Sequence, residues 1–423
     1  MVALLFISLA FLFLIGTPIA IALGLSTTAI AWMGDLAPLQ LVPQQMFNAI
    51  NSFPLMAIPF FILAGYLMQV GGISQRLVNF ASSLVGHITG GLAMVVIITS
   101  MFFAAISGSG AATTAAIGSI LIPAMIAKGY HVNFASANQA VSGALGVIIP
   151  PSIPLILYGI AAKQSVGDMF MAGVIPGIVI TISLLISAYF VSKRKGYLGV
   201  EKANVGDTFK SFKSAILSLL MPIIVLGGIY GGIFTPTEAA VVAVAYAFVV
   251  GVFIYREIKW KELPQIFKES AVTTSIVMII ISTAGLFSFI LNRLRVPELV
   301  SETFLDITTN IYVFIIVVNI FLLIVGMFME AAAAILIFVP ILLPIALSLG
   351  MDPIHFGIIV VVNLAIGLIT PPVGINLFVA MQISKIRIEH ISRAIVPFVI
   401  ILFVDVLIIS LIPFFSTWLP SIV

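Results

Sequence analysis

Gly146-Val147-Ile148-Ile149-Pro150-Pro151-Ser152 interrupts a long apolar stretch with two consecutive prolines, and Gly367-Leu368-Ile369-Thr370-Pro371-Pro372-Val373 does the same 221 residues later. Proline lacks an amide hydrogen and disfavours helix at the residue before it. Each stretch therefore predicts a spanning helix that breaks midway and frees several carbonyl oxygens. The 221-residue register extends outward: Pro123 pairs with Pro344, Gly129 with Gly350, and Ala111-Ala112 with Ala332-Ala333. Further upstream, Thr17-Pro18 matches Thr235-Pro236 at a separation of 218, which requires a short insertion or deletion. Alanine matches by chance are common in an apolar chain. A proline, two glycines and a Pro-Pro pair in one register are much harder to obtain that way. The chain therefore reads as two repeats, residues 1–200 and 214–423.

Composition sets the environment. Of 423 residues, 62% are hydrophobic and 8% charged, whereas a soluble domain carries about 25% charged residues. Eighteen Lys plus Arg and fifteen Asp plus Glu cannot coat a globule of this size. A water-soluble enzyme, a disordered chain and a nucleic-acid binder are all excluded. With no cysteine, disulfides, Cys-based metal sites and thiol nucleophiles are excluded too. The first residues, Met1-Val2-Ala3-Leu4-Leu5, lack a basic n-region and read as a first helix, not a cleaved signal peptide.

The fold class is an all-α polytopic membrane protein. Ten full crossings are predicted near residues 2–15, 17–33, 52–70, 131–160, 169–192, 214–232, 236–255, 272–292, 354–383 and 394–416. Residues 90–128 and 311–348 are each long enough for two helices. They are interrupted by Ser107-Gly108-Ser109-Gly110 and by Met329-Glu330-Ala331-Ala332. Each is either two crossings or one re-entrant hairpin. Irregular backbone at membrane depth is tolerated only against protein or a watery cavity, which favours hairpins. Segments 74–88 and 295–308 mix polar and apolar residues and read as amphipathic arms lying along the membrane before each hairpin.

Charge fixes orientation. With the 193–213 loop inside, 15 of the 18 positive residues are cytoplasmic; only Lys163, Arg293 and Arg295 fall outside. That bias is what the positive-inside rule expects. Five crossings per half is an odd number, so the second repeat is inverted relative to the first. Inverted repeats are a hallmark of secondary transporters. No Walker-type Gly-rich loop ending in Lys-Ser/Thr occurs, so an ion gradient is the natural energy source.

The carbonyls freed at the two breaks need partners. A desolvated Na+ is one solution, and a kink satisfied by neighbouring helices is the other. At the first tip, Ser107 and Ser109 supply hydroxyls, while Gly108 and Gly110 permit unusual backbone angles. That tip can meet the first break and enclose one Na+. Small residues that merely let helices approach are the competing reading, and it fits Ala111, Ala112, Ala115 and Ala116 better. Thr113 and Thr114 suit either purpose. At the second tip, Phe328-Met329-Glu330 cannot reproduce those hydroxyls. A second Na+ site there would rest on backbone carbonyls and Thr370.

Intramembrane charges are costly and default to function. Glu330 is assigned a substrate or ion role. Asp405, in the last span, is a candidate for proton binding or a subunit contact. Glu238, after Thr235-Pro236-Thr237, reads as a helix-capping acid. Arg293 can bind a carboxylate bidentately, which makes it a candidate for an anionic substrate. Ser109 is placed beside that substrate.

The run Ile106-Ser107-Gly108-Ser109-Gly110-Ala111-Ala112-Thr113-Thr114-Ala115-Ala116-Ile117-Gly118 resembles the large membrane subunit of TRAP (tripartite ATP-independent periplasmic) transporters. So do Gly146 to Pro151, Asn51-Ser52-Phe53-Pro54-Leu55 and Thr235-Pro236-Thr237-Glu238-Ala239. The resemblance covers essentially the whole chain. It implies two hairpins and two broken helices that move like an elevator against a scaffold, in a bacterial inner membrane. It also implies Na+ symport, a periplasmic substrate-binding protein and a small four-helix membrane subunit as a separate chain. The family's first Na+ site maps onto Ser107, Ser109, Gly146, Ile149 and Pro151. Its second maps onto Gly367, Thr370 and Pro372, with Phe328. Family substrates are organic acids such as C4-dicarboxylates or sialic acid, and the chain as a whole is more similar to the sialic acid members.

The expected function is thus a Na+-coupled importer subunit for a carboxylated solute. A symporter working without a binding protein, a passive channel, an intramembrane hydrolase and a component of an ATP-driven pump are the rivals. A channel needs a continuous polar stripe, and only isolated polar points occur. No Ser/His or paired-Asp arrangement supports hydrolysis.

Overall fold

The computed structural model describes residues 1–422, and every regular element among them is a helix. The first half comprises α1 (Val2–Leu14), α2 (Ile19–Met33), α3 (Leu41–Ile50), α4 (Ala57–Val70) and α5 (Ile73–Val85). It continues with α6 (Gly91–Ser107), α7 (Gly110–Ala127), α8 (Val132–Gly143), α9 (Leu145–Ile148), α10 (Ile153–Ala161) and α11 (Val166–Lys195). The second half comprises α12 (Val205–Tyr230), α13 (Pro236–Phe248), α14 (Leu263–Arg293), α15 (Val296–Ile307) and α16 (Ile311–Phe328). It ends with α17 (Ala331–Ser348), α18 (Pro353–Gly367), α19 (Ile375–Ser384), α20 (Ile388–Leu411) and α21 (Phe414–Thr417). One unit thus occurs twice: a helix, an arm, a two-helix hairpin, a broken helix and a closing helix. It runs from α4 to α11 and again from α14 to α20.

Among the described residues, nine helices are long and apolar enough to cross a bilayer, or ten if α8–α10 is one bent span. This is a multi-pass membrane protein. The nine include three hairpin arms, and they omit α1 and α2. Those two have 13 and 15 residues. At 1.5 Å per residue they rise roughly 20 Å, short of a hydrocarbon core about 30 Å thick. They share one core cluster, in which Leu5 and Leu9 meet Ala22, Leu23 and Ile30.

Burial separates centre from periphery. In α18 every residue from His355 to Gly367 is buried, and in α8 every residue from Phe134 to Gly143. A helix that is buried all round belongs in a core. The broken helices are therefore central. The halves interlock across them: α10 packs on the hairpin helix α17, and α19 packs on the hairpin helix α7. The closing helices α11 and α20 pack on each other as well. There Ser183 Oγ donates to Asp405 Oδ1 at 2.8 Å. Asp405 thus sits in the seam between the halves.

Several boundaries differ from expectation. The 193–213 loop shrinks, because α11 runs to Lys195 and α12 begins at Val205 under an Asn204 cap. Helix α14 starts at Leu263, nine residues before its apolar stretch. In both cases a helix continues past the apolar core with a polar, exposed turn. Residues 394–416 do not form one helix: α20 ends at Leu411, and Pro413 separates it from α21. His355 is buried, and its ring nitrogens meet Ser416 Oγ at 2.6 Å and the Ser410 carbonyl at 3.1 Å. Thr235 and Glu238 do form a capping box.

Candidate functional site

Both hairpin tips touch a helix break, and glycine makes the approach possible. At the first junction Gly108 has φ +60°, and Ile153 N–H at the break donates to the Gly108 carbonyl at 3.2 Å. A Cβ at Gly108 would lie 2.9 Å from the Pro151 carbonyl oxygen. A Cβ at Gly146 would lie 2.4 Å from the Ser109 carbonyl oxygen and 2.6 Å from Thr113 Oγ1. At the second junction Gly374 N–H donates to the Met327 carbonyl at 3.3 Å. A Cβ at Gly367 would lie 2.4 Å from backbone atoms of Gly326. Gly367 and Gly374 stand 221 residues after Gly146 and Ile153. Corresponding positions of the two breaks therefore make the close approach, although the tip residues they meet are not equivalent in that register. Both Pro-Pro bonds, Pro150-Pro151 and Pro371-Pro372, are cis.

The first junction holds a cluster of oxygens. Thr113 Oγ1 donates to the Ser109 carbonyl at 2.9 Å and meets Ser107 Oγ at 2.8 Å. Since the Thr113 hydrogen is committed, Ser107 is the donor of the second bond. The lone pairs of Ser107 Oγ then face only the Ser109 amide, at 3.5 Å. Ser107 and Thr113 are buried. Ser109 also caps α7, accepting from Ala112 N–H. At the break, Ser152 Oγ donates to the Val147 carbonyl. Buried, uncharged oxygen donors of this kind suit a hard cation. The structure thus gathers Ser107, Ser109, Gly146 and Pro151 around the tip. The Ile149 side chain points away, packing where a Cβ at Gly177 of α11 would lie 2.7 Å from it. Thr113, left between two roles by the sequence, joins the cluster.

The second junction is leaner. Thr370 Oγ1 donates to the Ile366 carbonyl of its own helix at 2.7 Å. Pro372 is exposed, and the Phe328 side chain is 60% exposed on the surface. Contact with the break comes from Gly326 and Met327, which sequence reasoning missed. Their signal was weak: Gly326 is one small residue in a strongly apolar helix.

One cavity of about 440 Å³ lies between the two junctions. Both tips line it, through Ser107 to Ala112 and through Glu330 and Ala331. Both breaks contribute Val147, Ile153, Leu368 and Asn376, and the outer wall is Tyr66 and Gln69 of α4 with Thr273 of α14. The first turns of α7, α10, α17 and α19 all border the space. Helix N-termini carry partial positive charge and unpaired N–H groups. Glu330 is the one carboxylic acid side chain in the wall. Arg293 is not in the wall; it ends α14 with its guanidinium 5.4 Å from the Phe289 ring centroid. Asn376 is in the wall and was also missed, although a polar residue beside a predicted break was a readable signal.

Repeated hairpins, interlocked broken helices and a central cavity define a polytopic membrane permease. The chain belongs to the family described as tripartite ATP-independent periplasmic transporter, DctM component, whose model matches residues 6–415. It is 45% identical over 405 residues to the isethionate TRAP transporter permease protein of Oleidesulfovibrio alaskensis, covering 96% of this chain and 64% of that one. It is 41% identical over 443 residues to a C4-dicarboxylate TRAP transporter large permease protein of Vibrio cholerae, covering 100% and 98%. It is 38% identical over 407 residues to the sialic acid TRAP transporter large permease protein of the same organism, covering 96% and 95%. These relatives are permeases, not enzymes. The identities do not single out the sialic acid members. Among solved structures, the YdaH transporter of Alcanivorax borkumensis shares the fold, with a TM-score of 0.62 at 15% identity over 89% of this chain and 86% of that one.

Proposed function

We propose that this chain is the translocating subunit of a Na+-coupled importer for a small organic anion. The observation that carries this reading is the single cavity bordered by both tips, both breaks and four helix N-termini, with no Lys, Arg or His in its wall. A negatively charged solute there finds favourable helix dipoles and amide hydrogens. Bound Na+ supplies the remaining positive charge. One Na+ is held by Ser107, Ser109, Thr113 and the carbonyls at Gly146, Ile149 and Pro151. A second rests on carbonyls near Phe328, Gly367 and Pro372, with Thr370. Each ion ties a tip to a break and so favours the conformer that accepts the solute. The units carrying the hairpins and broken helices then move as an elevator against a frame that includes α4 and α14. The two repeats, 1–200 and 214–423, supply the paired states.

The family's tripartite organisation supports two partners: a small four-helix membrane subunit and a periplasmic binding protein that delivers the solute. The inner bacterial membrane is the fitting location. The test is uptake by the reconstituted complex without ATP, with and without an inward Na+ gradient. Uptake should follow the gradient. Transport indifferent to Na+ would remove the coupling, and uptake that never saturates would mark a channel.

A further inference from the structure

We infer that Asn376 reads a hydroxyl group on the transported solute, so that the preferred solute is a hydroxylated monoanion; this rests on the anion cavity proposed above. Asn376 stands in the first turn of α19, is fully buried, and lines the cavity. Its Nδ2 donates to the Ala140 carbonyl at 3.3 Å. A carbonyl only accepts, so this bond fixes which way the amide points. Oδ1 is left buried with no partner among the described residues. A buried acceptor without a donor is costly, and native proteins rarely leave one so. The position 221 residues earlier holds Leu155, so the first repeat has no counterpart. The amide also lies against the other half's tip: a Cβ at Gly110 would sit 3.1 Å from both its oxygen and its nitrogen.

The wall around it narrows the ligand. Oδ1 offers a lone pair, which suits a hydroxyl hydrogen and repels a carboxylate oxygen. Tyr66 OH and Thr273 Oγ1 already pair with each other at 2.9 Å. Glu330 puts a carboxyl group, and no base, at the second tip. One anionic end can sit at the helix N-termini, while a second carboxylate would find no cationic side chain. A site built to hydrogen-bond a solute hydroxyl discriminates strongly against the analogue lacking it.

The test uses the complete membrane complex in nanodiscs, without binding protein, and matched probes: 2-hydroxyethanesulfonate against ethanesulfonate, and gluconate against hexanoate. Thermal stabilisation is titrated in NaCl. In the wild type the hydroxylated probe of at least one pair should bind about tenfold more tightly or better. Asn376→Leu should erase that ratio, and Asn376→Ser, which keeps an acceptor, should restore part of it. The Na+ titration without solute should stay within about twofold in both variants. No discrimination in either pair, or a ratio untouched by Asn376→Leu, overturns the proposal. A shift in the Na+ titration alone assigns the amide to the cation and also overturns it. Loss of all Na+ dependence in the wild type with the ratio intact would remove only the coupling reading.

Discussion

At the first junction three hydroxyl-bearing residues, Ser107, Ser109 and Thr113, crowd a buried break. At the second, the tip offers Gly326 and Met327 backbone, the one hydroxyl bonds its own helix, and Pro372 is exposed. Yet glycines and N–H donors 221 residues apart in the two breaks, Gly146 with Gly367 and Ile153 with Gly374, each meet the backbone of their own tip. The backbone device is common to both repeats, and the side-chain chemistry is particular to one. That difference teaches what each half contributes. The shared device positions a tip against unwound carbonyls. Only the first half adds a cluster of hydroxyls to it.

The sharpest way to break the comparison is to crowd the shared device. Gly146→Ala and Gly367→Ala each push a methyl into a neighbouring backbone. Overpacking of this kind costs about 1–3 kcal/mol, which corresponds to roughly 5- to 150-fold in an equilibrium. Both variants should lose uptake in proteoliposomes to a similar extent, with assembly checked by size-exclusion chromatography. A loss confined to Gly146→Ala would show that the second junction does not need its close approach.

The hydroxyl cluster comes next. Ser107→Ala and Thr113→Ala should each raise the half-saturating Na+ concentration by about 5- to 10-fold, the worth of one hydrogen bond. Because the two hydroxyls share a bond, the double variant should be no worse than about the larger single effect. Strict additivity in Na+-dependent uptake would show that the two hydroxyls act separately.

A smaller effect is expected from Thr370→Val. Thr370 Oγ1 bonds only the Ile366 carbonyl and has no partner hydroxyl such as Thr113 has in Ser107, so the Na+ dependence should shift by less than about threefold. A shift as large as that of Ser107→Ala would make the two junctions chemically alike after all.

The smallest change lies outside both junctions. Thr235→Ala removes the Thr235–Glu238 capping box, worth about 1 kcal/mol. The thermal midpoint should fall by a few degrees, as such a loss does in proteins generally, with the Na+ dependence unaltered. A changed Na+ dependence would extend coupling into the scaffold.

Much of the molecule was legible in order. Pro-Pro pairs, apolar runs of bilayer length and Gly/Ser interruptions are local signals, and hairpins, breaks and arms follow from them. Helix ends were less legible at residues 205 and 263, because polar turns extend a helix beyond its apolar stretch without any hydropathy signal. Arg293 illustrates a different failure. An unusual charge near the second hairpin drew attention, but α14 ends with it outside the cavity. Asn376 illustrates the converse. It stands as a polar residue beside a predicted break, but its importance lies in Gly110 and Ala140, more than 230 residues away.

The sequence by itself determined that this chain lives in a bilayer, that it is built twice, and where each copy unwinds. Those properties are written in hydropathy and in proline's missing amide hydrogen, which act over a few residues. Only the tertiary structure decided that Thr113 belongs with Ser107, that both junctions open on one cavity, and that each half's broken helix packs on the other's hairpin. Such pairings arise from close packing between distant segments, where glycine sets how near two backbones come, and no local pattern encodes which segments will meet.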